Sequence, residues 1–99
     1  MKIMVKIELI AQYKNIEKVQ HFFKRILPET RNYEGCEDAK ILTYPMELHK
    51  FMLIEYWESS EHYLEYGEWR NKTGDFEKLR PLLTSEIDLQ IFEVLEDIN

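Results

Sequence analysis

The sequence predicts an α+β fold: a ferredoxin-like split βαβ unit with a four-stranded antiparallel sheet. Three observations carry this reading. Segments of strand and helix periodicity follow one another as strand, helix, strand, strand, helical region, strand. The second and third strand segments are joined by residues 45–49, enough to close a hairpin but too few to cross over between parallel strands. Residues 50–59 read KFMLIEYWES and are mostly apolar on both faces, as suits a central strand covered on both sides.

Residues 2–12 alternate, with Ile3, Val5, Ile7 and Leu9 on one face and Lys2, Met4, Lys6 and Glu8 on the other, so a strand with one buried face is expected. Asn15 is placed to cap a helix, and Glu17 suits the positive end of its dipole. Ile16, Val19, Phe23, Ile26 and Leu27 recur at helical spacing. Pro28 is expected to bend this helix or begin its last turn, and Gly35 to supply a left-handed stop. Residues 36–44 form the second strand. In the central strand Phe51, Leu53, Glu55 and Trp57 face one way, and Met52, Ile54 and Tyr56 the other.

Ser59 or Ser60 can cap the next helix, whose apolar side holds Tyr63, Leu64, Tyr66 and Trp69. Gly67 is expected to weaken and bend it. Residues 73–75, Thr-Gly-Asp, read as a loop and a new cap, followed by Phe76, Leu79 and Leu83 at helical spacing until Pro81 limits the element. Residues 87–95 alternate again and form the last strand. A single domain over residues 1–99 is expected, with helices on one sheet face. The other face then carries apolar side chains from several strands, and a homodimer with two sheets face to face would bury them.

The composition narrows the function classes. The hydrophobic fraction is 44% and the charged fraction 32%, which describes a globular chain. The net charge is -6 and the basic residues are scattered among acids, so no nucleic-acid surface is expected. Cys36 is the only cysteine, which excludes an internal disulfide and a cysteine zinc cluster and fits a reducing, cytoplasmic setting. The apolar start is broken by Lys2, Lys6 and Glu8, unlike a signal peptide or membrane span. His21, His49 and His62 lack metal-binding spacing, so no metal site is expected. Six Tyr, five Phe and two Trp can fill a core or line a pocket for a flat ligand.

Four strings, LPETRNYEGC (27–36), FMLIEYWES (51–59), FEKLRPLL (76–83) and IFEVLE (91–96), resemble the antibiotic biosynthesis monooxygenase (ABM) domain family, in the same order and over almost the entire chain. The resemblance implies a dimeric α/β barrel with a pocket in each subunit between sheet and helices. It also implies oxygen insertion into a polyphenol or quinol-type aromatic substrate without metal, flavin or other cofactor. Such chemistry needs an electron-rich phenolate or carbanion, a dry pocket for a flat ring, a cation or donor for the oxyanion, and a base.

Trp69 and Arg70 are candidate catalytic residues: an indole stacks on a ring, and a guanidinium stabilises an oxyanion. Some family members place a pocket Trp in this region. The plain alternatives are a packing anchor for Trp69 and a solvent-facing cation for Arg70. Tyr66 stands where many family members carry His; a phenol donates a hydrogen bond but is a poor base near neutrality. His62, one turn earlier, is a candidate base, or an exposed residue beside the helix cap. Glu55 interrupts the apolar strand as a buried acid or base, as the partner of a cation such as Arg31 or Arg80, or as a residue facing water at the sheet edge. Phe22, Phe23 and Tyr56 are candidate pocket walls, and core packing explains them equally.

Two other readings stay open. A dimeric small-ligand-binding or stress-associated module could keep the fold without the chemistry. Haem degradation, known from relatives of this fold, is disfavoured because the third helix offers Lys78, Leu79 and Arg80 where those relatives carry the axial His.

Overall fold

A computed structural model describes residues 1–99. The elements run β1 (Ile3–Ile10), α1 (Ile16–Asn32), β2 (Cys36–Tyr44), β3 (Glu47–Trp57), α2 (Ser60–Thr73), α3 (Asp75–Leu79) and β4 (Asp88–Glu93), with 3-10 turns at Tyr13–Asn15 and Arg80–Leu82. The sheet order is β2-β3-β1-β4 and every neighbouring pair is antiparallel. This is the ferredoxin-like βαββαβ plan that the order of sequence periodicities predicts.

The pleat decides which side chains meet. Ile3, Val5, Ile7 and Leu9 of β1 pair across the sheet with Trp57, Glu55, Leu53 and Phe51 of β3, all on the face that the helices cover and all buried. Val19, Phe22, Phe23, Ile26 and Leu27 form the buried side of α1 and close this core from above. Each large apolar side chain sealed there contributes about 1.5–3 kcal/mol. The opposite face is not covered. Met4, Met52, Ile54, Tyr56 and Phe92 lie on it, with Lys6, Glu8 and Lys40 between them. β4 is exposed along its whole length, at the edge of the sheet where it pairs with β1 alone.

Several local expectations need correction. Asn15 does not cap α1; it is buried in the preceding turn, where its Nδ2 donates to Gln12 Oε1 at 3.1 Å. Pro28 begins the last turn of α1, which ends at Asn32, as one of the two expectations for it has it; its missing N–H would have bonded the Lys24 carbonyl, and Lys24 is on the exposed side, where water can substitute. The hairpin turn is tighter than residues 45–49, since β3 already begins at Glu47. β1 and β4 are shorter than residues 2–12 and 87–95. Ser59 is the cap of α2, its Oγ accepting from the His62 N–H at 3.2 Å. α2 continues through Gly67 without interruption and ends at Gly74, whose φ of 77° gives the left-handed stop. Gly35 also has positive φ, 90°, and a Cβ there would run into the His62 ring, so this turn requires glycine twice over. No helix is long and apolar enough to cross a membrane.

Candidate functional site

Between the covered sheet face and the helices lies a cleft of about 360 Å³. Its floor is Ile7 and Leu9 of β1 and Leu53 of β3, which the strand alternation turns toward the helices. Phe23 of α1, Phe76 and Leu79 of α3, and Ile87 and Leu89 add apolar walls. From α2 come Tyr63, Gly67 and Asn71, spaced one turn apart on one helix face, and Arg80 stands beside them. The side chains of Tyr63, Asn71 and Arg80 make no hydrogen bond or ion pair within the chain and are free for a ligand. Burial, and then the charge of Glu55, push the Tyr63 hydroxyl above its ordinary pKa, so it is a donor near neutrality. Three other depressions are larger, about 650, 470 and 420 Å³. The first is lined by residues 80–87, the second by the two chain ends, and the third lies on the uncovered sheet face around Met4, Tyr56 and Phe92. The cleft between the layers is the better ligand site because sheet and helices both wall it and a few polar groups interrupt a mostly apolar lining.

The sequence-predicted residues Tyr66, Trp69 and Arg70 do come together, on the side of α2 next to the cleft-lining face. Arg70 is fully buried. Its Nε donates to Tyr66 Oη at 3.0 Å, Nη1 to Glu29 Oε1 at 3.1 Å and Asp75 Oδ2 at 2.8 Å, and Nη2 to the Ile26 carbonyl at 3.3 Å and Thr30 Oγ1 at 3.1 Å. A guanidinium has five N–H donors, and here each has a protein acceptor. Arg70 is therefore neither the solvent-facing cation of the plain alternative nor a group with a donor to spare for a substrate oxyanion. Thr30 donates to the Ile26 carbonyl at 3.2 Å, which leaves the Tyr66 hydroxyl as donor to Thr30 at 2.8 Å. The Arg70 guanidinium also lies over the Trp69 ring, 4.6 Å from its centroid, and Trp69 packs on Tyr33 at 5.2 Å.

Asp75 completes this network. Arg25 Nη2 donates to its Oδ1 at 2.9 Å and Thr73 Oγ1 to its Oδ2 at 2.7 Å. Burial works to raise the carboxyl, but the hydrogen bonds from Thr73, Arg25 and Arg70 outweigh it and hold the pKa at about 2.

Glu55 is buried on the sheet floor, one strand repeat from Leu53. Trp57 Nε1 donates to its Oε1 at 2.9 Å, and no ion pair holds it. Burial raises its pKa from 4.5 to about 7, against the opposing pull of the Trp57 hydrogen bond and the Arg70 charge. The expected cation partners are engaged elsewhere: Arg31 Nε donates to the Ala39 carbonyl at 2.9 Å, and Arg80 lines the cleft. Cys36, nearby, is half-buried, and burial followed by the Glu55 charge pushes its thiol up to about 11, so it is not a nucleophile.

The remaining candidates separate. His62 Nδ1 lies 2.7 Å from Ser59 Oγ and Nε2 3.7 Å from Glu58, at the start of α2 and outside the cleft lining. Tyr56 is on the uncovered sheet face and does not reach the cleft, because it is one residue out of phase with Glu55 and Trp57. Phe22 packs edge-on against Phe23 and under the Arg25 guanidinium, and of that pair Phe23 alone lines the cleft. Of the residues that line the cleft, sequence reasoning selected Phe23 alone, and Tyr63, Gly67, Asn71 and Arg80 on its helical side are among those it did not select. Their signal was the one-turn spacing of Tyr63, Gly67 and Asn71. No group of three or more His, Cys, Asp and Glu side chains stands close enough together to hold a metal ion.

Solved structures with this fold include Rv0793 from Mycobacterium tuberculosis, 14% identical, with a TM-score of 0.87 over 96% of each chain. A conserved protein from Methanosarcina mazei Go1 is 17% identical, with a TM-score of 0.87 over 94% of this chain and 92% of that one. SnoaB, a cofactor-independent oxygenase from Streptomyces nogalater, is 12% identical, with a TM-score of 0.83 over 95% of this chain and 93% of its own. At these identities the likeness establishes the shared fold. No curated protein matches the chain. The family model for antibiotic biosynthesis monooxygenase matches residues 3–73, which runs from the first residue of β1 to the last residue of α2. The chain belongs to the antibiotic biosynthesis monooxygenase (ABM) family.

Proposed function

We propose that the protein is a homodimeric, cofactor-independent monooxygenase that acts on a small aromatic substrate of the polyphenol or quinol type. The observation that carries this reading is the cleft: apolar walls from both layers, with the free polar side chains of Tyr63, Asn71 and Arg80 on one side. A flat ring fits between Leu53 and the α2 face, and its oxygens meet the Tyr63 hydroxyl, the Asn71 amide and the Arg80 guanidinium. Those donors favour the deprotonated ring, which is the electron-rich form. The ring anion passes one electron to O2, the two radicals join as a peroxide anion on a ring C–H carbon, and this takes back the proton that the ring hydroxyl released to become the hydroperoxide. Loss of water leaves one oxygen atom on the ring as a carbonyl and the other in water. The apolar walls keep bulk water from the intermediate.

The uncovered sheet face supports the dimer. Tyr56 and Phe92 flank Met4 across three strands, and pairing with a second copy would remove them from water. Oxygen uptake tests the function: a panel of mono- and bicyclic hydroquinones is incubated aerobically and anaerobically with the purified protein. Protein-dependent uptake with at least one of them is expected, and none across the panel would overturn the proposal.

A second reading is a non-catalytic, dimeric ligand-binding module, one associated with stress for example. It draws on the absence of His, Asp and Glu from the cleft lining, which leaves the base unassigned. Aromatic binding without oxygen uptake would select it.

A further inference from the structure

Gly67 has no structural reason to be glycine. It lies in the interior of α2, its φ is not positive, and the helix passes through it unbroken. A Cβ placed there would meet nothing within 4 Å. Glycine inside a helix costs about 1 kcal/mol relative to alanine. Neither backbone conformation nor close packing offsets that cost, as both do at Gly35.

The position of Gly67 supplies the missing reason. It lies midway between Tyr63 and Asn71 on the helix face that lines the cleft, and the space a side chain would take is cleft space. Tyr63 and Asn71 are about 12 Å apart along the helix axis at the rise of an α-helix. That is the scale of a fused-ring aromatic with an oxygen at each end. A ring system bridging the two polar groups must cross the helix at Gly67.

We propose that Gly67 is a specificity-determining residue: its missing side chain admits the edge of a fused bicyclic or larger aromatic, and any larger residue there restricts the cleft to single rings. This rests on the reading of the cleft as an aromatic-binding site, and the experiment separates the two. Phenol and 1-naphthol are titrated calorimetrically into the wild-type protein and the Gly67→Ala and Gly67→Leu variants, and the Tm of each is measured. Both variants are expected to melt at or above wild type, since a helix glycine is being removed. Gly67→Leu is expected to weaken 1-naphthol binding by about tenfold or more while phenol changes by less than about threefold. Gly67→Ala is expected to fall between.

A 1-naphthol affinity in Gly67→Leu within about twofold of wild type would overturn the inference and leave the aromatic site standing. Equal loss of both probes would overturn it as well, because size would not then be what is read. A Tm several degrees below wild type in Gly67→Ala would show that the glycine serves the fold and would likewise overturn it. Wild-type protein that binds neither probe would remove the aromatic-site reading, and the inference with it.

Discussion

Arg70 Nη1 donates to Asp75 Oδ2 at 2.8 Å, tying the last turn of α2 to the first residue of α3. Through its other donors the same guanidinium reaches α1 at Ile26, Glu29 and Thr30. Three helices thus meet at one buried cation that has every donor satisfied. A buried pair broken on one side costs about 3–5 kcal/mol, because the partner is left without compensation.

Arg70→Ala is therefore expected to lose about 3 kcal/mol of stability. Arg70→Lys keeps the charge but not the planar five-donor fork, and should recover less than half of that loss. Urea denaturation of the three proteins at neutral pH measures it. An Arg70→Ala variant within about 1 kcal/mol of wild type would mean the network is not holding the helices together.

Asp75 sets the acid limit of this network. Its folded pKa of about 2 lies below the ordinary 3.8, so the folded state holds its proton less tightly than the unfolded chain. The stability it contributes is complete above about pH 4 and is lost as pH falls toward 2. Asp75→Asn should be less stable at pH 7 and should show a flatter decline between pH 4 and 2 in thermal melts.

Glu55 acts in the opposite sense. Its folded pKa of about 7 is above the ordinary 4.5, so the folded state binds a proton that the unfolded chain releases first. Its contribution is most favourable below about pH 4.5 and declines as pH rises through 7. Glu55→Gln removes the carboxylate that must be buried at high pH, and its amide oxygen can still accept from Trp57 Nε1. The variant is expected to exceed wild type by about 2 kcal/mol at pH 8 and to lose that advantage at pH 5. Parallel stability–pH curves for the two proteins would show that Glu55 does not titrate in this window.

The cleft and the Arg70 cluster respond differently to substitution. Asn71→Ala and Tyr63→Phe remove free donors from the cleft and should reduce kcat/KM on an accepted hydroquinone by about tenfold or more with little change in Tm. Tyr66→Phe breaks bonds to Thr30 and Arg70 and should lower Tm while leaving substrate affinity near wild type. Steady-state oxygen uptake alongside thermal melts separates the two patterns, and the reverse assignment would place the site at Trp69 and Arg70 instead.

On the uncovered face, Ile54 lies between Lys6 and Lys40 in the pairing rows. Ile54→Lys brings a third cation into that row and opposes face-to-face pairing. Sedimentation equilibrium should find wild type dimeric at micromolar concentration and Ile54→Lys shifted to monomer. A monomeric wild type would leave the uncovered face without the partner proposed for it.

The order of elements and the inward faces of β1 and β3 were legible because a period of two in Ile3, Val5, Ile7 and Leu9 has one structural meaning when one face is buried. The faces of α2 were not. Tyr63, Tyr66 and Trp69 are all amphipathic, and Gly67 leaves no hydrophobic signal, so the sequence does not say which stripe faces a cleft and which packs against α1. The surroundings of Arg70 are hidden in the sequence for a related reason: arginine is mostly exposed, and its five acceptors come from residues scattered between positions 26 and 75. Asn15 resembles a cap by residue type, but a side-chain bond to Gln12 takes its amide.

Amide chemical-shift mapping reports most directly where an aromatic ligand sits. On adding 1-naphthol to uniformly 15N-labelled protein, the largest shifts are expected at Tyr63, Gly67, Asn71, Leu79 and Leu53, around the cleft. Shifts confined to Met52, Ile54, Tyr56 and Phe92 on the uncovered face, or to the surroundings of Trp69 and Arg70, would contradict the cleft as the site of function.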